Sequence, residues 1–160
     1  MVERSLKTIK EDYKKIEEKF SLPSFEKMME DFDMEKLSEK EEGLITRDVR
    51  RIITEKIAGY SHLFEMLINP SSPPMFVFAF MKNLSEQDKK EIKEIYKELS
   101  KLQITTMKLD TIYDEKKEVD FIRKTYSTWQ DLKKKVYKLI ESFEKEFEKN
   151  VETKEKSYFG

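Results

Sequence analysis

An all-α fold follows from three features of the sequence. Glycine and proline are scarce, 3 and 4 in 160 residues, which leaves little turn material for a chain built of strands. Apolar residues recur every three to four positions over four long stretches, the period of an amphipathic helix. Capping signals open several of those stretches. Together they predict an up-and-down bundle of four long helices with one or two short accessory helices. The expected organisation is one helical-bundle domain over residues 1–150 and a frayed C-terminal tail over 151–160.

The first helix is expected over residues 3–20. Leu6, Ile9, Tyr13, Ile16 and Phe20 form its apolar stripe, with Glu11, Lys15 and Glu18 opposite. Residues 21–24 read as a turn, with Ser24 capping a short helix that carries Phe25, Met28, Met29 and Phe32. Ser38 with Glu41 three residues on is a capping box, so the next long helix is expected to open at Ser38. Its stripe runs from Ile45 through Val49, Ile53, Ile57 and Phe64 to Ile68. Asn69-Pro70 ends it, because a residue before proline is pushed out of helical geometry.

The run SSPPMFVFAFM over residues 71–81 allows two readings. Ser72 as a cap with Pro73 in the first helical position gives a short helix through Lys82. Phe76, Phe78 and Phe80 also alternate as in a strand, but the only other β-leaning stretch is 103–109, so the helix is preferred. Either way the run needs cover, from the end of the bundle or from another chain.

Ser85 and Asp88 form a second capping box. Ile92, Ile95, Tyr96, Leu99 and Leu102 follow as a stripe, continued by Thr106, Leu109 and Tyr113. Gln103, Thr106 and Asp110 project from this apolar face, while Ile104, Met107 and Ile112 leave it. The second half is therefore expected to be buried on two sides or to bend at residues 104–106. Residues 114–118 are the expected break before a last helix over 119–150, striped by Ile122, Tyr126, Trp129, Leu132, Val136, Ile140, Phe143 and Phe147.

Composition narrows the function classes. Charged residues make up 41% of the chain, yet the net charge is only −1 and Lys and Glu are mixed throughout. Such mixing marks solvated helix faces rather than a nucleic-acid footprint, so no nucleic-acid partner is expected. Without cysteine there is no disulfide, thiolate nucleophile or cysteine-ligated metal. No apolar run reaches the ~20 residues of a membrane span and the N-terminus lacks a signal-peptide core, so a cytoplasmic protein without membrane contact is expected. The excess of Lys and Glu is thermophile-like, though the 8 methionines run against that pattern.

Four constellations carry possible chemistry. His62 and Glu65 share a helix face, but one histidine, in the wrong order for a Glu-x-x-His pair and on the polar side, makes a poor metal site. No metal or other cofactor is expected, and no catalytic constellation stands out, so the enzyme question leans towards no. Arg47, Arg50 and Arg51 are three of only five arginines and are candidates for binding an anion, with Arg50 at the edge of the apolar face. The plainer alternative there is a ladder along one helix through Arg47, Arg51 and Glu55. Gln103, Thr106 and Asp110 are candidates for a polar network in the core or a ligand pocket. Met75, Phe76, Phe78, Phe80 and Met81 are candidates for an interface. The expected function is a non-enzymatic protein-interaction or assembly module, with a homo-oligomer or protein partner held through residues 75–81. The alternative is a bundle that binds a small phosphate-bearing ligand.

Overall fold

The computed structural model describes residues 5–39 and 43–158. Among the described residues the protein is all-helical, 85% helix, with no strand. In chain order the α-helices are α1 (Leu6–Phe20), α2 (Phe25–Asp31), α3 (Ile45–Ile68), α4 (Met75–Met81), α5 (Glu86–Thr111) and α6 (Glu115–Tyr158). A 3-10 helix, Met34–Glu39, lies between α2 and α3. The chain forms two compact units, one from residues 1–59 and 101–129 and the other from 60–100 and 130–160. Helices α3, α5 and α6 contribute to both.

Local chemistry explains the boundaries. Ser5 caps α1 by accepting from the Thr8 amide, and Ser24 caps α2 by accepting from the Lys27 amide. α1 ends at Ser21, which adopts left-handed φ 52° and donates its N–H to the Glu17 carbonyl. Arg123 on α6 donates to the last carbonyl of α1, at Phe20, satisfying an acceptor the helix itself leaves open. Ser85 and Asp88 complete their capping box: the Asp88 amide donates to Ser85 Oγ, and the Ser85 amide donates to Asp88 Oδ2, both at 3.1 Å. Asp114 caps α6, its Oδ1 accepting from the Lys117 amide at 3.2 Å.

Five boundaries depart from the sequence-based expectation. α1 begins at Leu6 after the Ser5 cap, not at residue 3. α3 begins at Ile45, while Ser38 lies in the 3-10 helix and donates to the Glu35 carbonyl. Glu41, the other half of that expected capping box, lies outside the described residues. α4 begins at Met75 after Pro74, with no side-chain cap, so Ser72 and Pro73 are not its opening. α6 opens at Glu115, within the expected break, and runs on to Tyr158, past Asn150.

The first unit is built on α1, α2 and the 3-10 helix, which pack on one another. Ile9, Tyr13, Met28, Phe32 and Met34 are buried there, as are Val49 and Ile53 of α3 and Ile122 of α6. Tyr13 donates its hydroxyl to the Pro23 carbonyl at 2.8 Å, so its ring is buried without an orphaned polar atom. Burial, with help from the charges of Glu17 and Tyr126, pushes the Tyr13 pKa well above the ordinary phenol range. The second unit buries Phe64 and Leu67 of α3, Val77 and Phe80 of α4, Ile92, Ile95 and Leu99 of α5, and Val136, Leu139 and Phe143 of α6. Phe80 lies against Phe143 with ring centroids 3.8 Å apart.

Candidate functional site

Two features are candidates, one in each unit. The first is a buried charge cluster. Arg50 stands one helical turn after Thr46 on α3, on the side of the helix that also buries Val49 and Ile53, and it is 1% exposed. Glu118 sits in the first turn of α6, where the helix dipole favours an acid, and it is 0% exposed. Arg50 Nε donates to Glu118 Oε2 at 2.8 Å, and Arg50 Nη2 donates to Asp110 Oδ1 at 2.7 Å. Asp110 is in the last turn of α5, a position the dipole disfavours for an acid, and the arginine offsets that cost. One guanidinium thus holds carboxylates from two other helices, in the forked geometry that arginine provides.

Electrostatics follow from this geometry. The Arg50 hydrogen bond, with the charges of Arg50, Arg51 and Arg47, holds the Asp110 carboxyl below the usual range. Burial by itself would lower the Arg50 pKa, but the contacts to Glu118 and Asp110 outweigh it, and the net direction is upward. Arg47 lies with its Nε 3.7 Å from Glu118 Oε1, too long for a hydrogen bond, and its guanidinium rests over the Tyr113 ring at 4.9 Å. Tyr113 and Thr46 share a hydroxyl–hydroxyl hydrogen bond of 3.2 Å. The Arg47 Nε is buried and has no hydrogen-bond partner among the described residues.

The expected ladder along α3 does not form. Arg47 turns to Glu118 and Tyr113, and Glu55 pairs with Lys36 at 3.3 Å. Arg51 is exposed. Of the polar trio on α5, Thr106 is buried and donates to the Gln103 carbonyl at 2.7 Å, while the Asp110 side chain is half exposed. Ile104, Met107 and Ile112 are exposed, so that half of α5 is not covered on two sides. His62 and Glu65 are exposed on α3. Glu118 was missed because residues 114–118 read as a break. The signal was there: Glu118 precedes Ile122 by four residues and so belongs to the stripe of the last helix.

The second feature is an apolar groove of about 680 Å³ in the second unit, lined by Leu63, Phe76, Phe80, Ile140, Phe143 and Phe147, with Glu144 at its edge. α4 supplies Phe76 and Phe80 to it and carries two kinds of residue. Val77 and Phe80 are buried anchors, whereas Met75, Phe76 and Phe78 are 77%, 50% and 47% exposed. Met81 is half-buried. Lys82 covers part of the Phe78 ring from 4.9 Å. On α6 the expected core positions Ile140 and Phe147 are exposed and form the opposite wall.

Chemically the two features differ. The charge cluster joins three helices of one unit, with Arg50, Glu118 and Asp110 already satisfying one another. The groove offers aromatic surface with a single acid and no nucleophile. Among the described residues no helix is long and apolar enough to cross a membrane. Comparison with protein-family models, with curated proteins and with solved structures finds no match for the chain.

Proposed function

We propose that the protein is a non-enzymatic protein-interaction module, with the exposed face of α4 and the groove beside it as its contact surface. The observation that carries this reading is the exposure of Met75, Phe76 and Phe78 on a helix whose Val77 and Phe80 are anchored inside. Contiguous apolar surface of this kind marks interaction sites, and Phe and Met adapt well to them. Self-association is the form to test first. Native mass spectrometry of the wild type should give an oligomer, and Phe76→Ser should give a folded monomer. Phe80 is left untouched in this test because it is core. A wild type that is monomeric at all concentrations, or a Phe76→Ser variant that assembles as before, removes α4 as an assembly surface.

A second reading, a binding site for a small phosphate-bearing anion at Arg47, Arg50 and Arg51, is favoured by the unpartnered Nε of Arg47. It is weakened by the two carboxylates already on Arg50. The same native spectrum tests it, through a retained phosphate adduct that Arg47→Ala should remove.

A further inference from the structure

A second groove lies wholly within the first unit, where the last turns of α5 meet the first turns of α6, and has a volume of about 500 Å³. Leu102, Leu109 and Phe121, all buried, form its floor. Lys108 of α5 and Lys117 and Lys124 of α6 stand around it and are exposed. The ammonium groups of Lys108 and Lys124 have no partner among the described residues. Lys117 has only an exposed contact to Asp114 at 3.5 Å, of the kind that contributes little. Asp120, the one acid on the rim, is paired with Arg123 at 3.2 Å. With three lysines against one aspartate in its lining, the rim is positive over an apolar floor. Ile112, just past the end of α5, adds exposed apolar surface to the groove.

The spacing of the lysines selects the occupant. Lys117 and Lys124 are seven residues apart on one helix, two turns or about 10 Å. An amphiphile with one charged head meets only one of them. A helix with acids two turns apart and an apolar face between them meets both lysines and covers the floor. We infer that this groove docks an acidic amphipathic helix of a partner protein, its apolar face on Leu109, Ile112 and Phe121 and its carboxylates facing Lys108, Lys117 and Lys124. The surface is independent of α4, since it rests on other residues in the other unit.

The test uses the full chain and a fluorescent synthetic peptide of about five helical turns (~18 residues), with Leu on one face flanked by Glu. Anisotropy should show saturable binding, and NMR should show amide shifts at Thr105, Ile112, Phe121 and Lys124. Lys108→Glu with Lys124→Glu should weaken binding about tenfold or more, as should Ile112→Ser, which changes no charge. Far-UV circular dichroism checks that each variant folds. No saturable binding to the wild type overturns the proposal, as does undiminished binding by the charge-reversed variant. Equal binding of a peptide with Lys in place of Glu also overturns it. Dodecanoate shifting the same amides while the peptide shifts none would assign the groove to a single-headed amphiphile instead.

Discussion

Arg50 and Glu118 are a buried ion pair, and such a pair matters most when one partner is removed. Glu118→Gln leaves the Arg50 charge in a site with only the half-exposed Asp110 to balance it. The expected loss is about 3 kcal/mol of unfolding free energy. Replacing both, Arg50→Met with Glu118→Leu, removes the uncompensated charge and should recover most of that loss. Urea denaturation of the two variants separates the outcomes: if the double variant is no more stable than Glu118→Gln, the cost is packing and not charge. Asp110 gives a pH-dependent counterpart. Its folded pKa lies below its unfolded value of about 3.9, so the contact with Arg50 contributes fully above that value and is lost as pH falls through the folded pKa. Because the Asp110 side chain is half exposed, the contribution is below about 1 kcal/mol. Stability of Asp110→Asn should therefore fall below wild type at pH 7 and converge with it in strong acid. Curves that stay parallel down to pH of about 2 would mean that the contact does not contribute to stability.

At the level of elements, α3 carries a glycine that nothing in its surroundings requires. Gly59 is exposed, has no positive φ, and a Cβ added there meets nothing within 4 Å. Gly59→Ala should raise stability by about 0.5–1 kcal/mol, because alanine loses less backbone entropy on entering a helix. A lower denaturation midpoint for Gly59→Ala would show that α3 needs its glycine. Helix starts were legible where the signal is local. Ser24 and the Ser85–Asp88 box are read from neighbouring residues, and both form. The opening of α3 was not, because a 3-10 helix takes up residues 34–39 and competes for Ser38. Periodicity marked the apolar face of α6 correctly at Ile122, Trp129 and Val136, but also marked Ile140 and Phe147, which are exposed. A period tells which residues share a face, not whether anything covers that face. Arg50 could be singled out from the sequence as a residue in need of a partner, but Glu118 and Asp110 are 68 and 60 residues away. Only the fold brings them to it.

Across the whole molecule, 32 basic and 33 acidic residues nearly cancel. Two copies therefore approach one another with little net repulsion, and contact through α4 would depend on apolar burial. The rim of the α5–α6 groove, by contrast, is a local concentration of one sign, and its attraction for an acidic helix is screened by salt. The two surfaces are thus expected to respond to salt in opposite ways. As sodium chloride rises from about 0.05 to 1 M, the screening length drops from beyond 10 Å to about 3 Å. The oligomer fraction of the wild type, followed by sedimentation velocity, should stay constant or grow over that range. Phe76→Ser should remain monomeric throughout, which ties the oligomer to α4 rather than to general self-association. Over the same range, binding of the acidic peptide should weaken. An oligomer that dissociates as salt rises would mean that charge holds it together, and the α4 face, with its exposed Met75, Phe76 and Phe78, could then no longer be its contact surface.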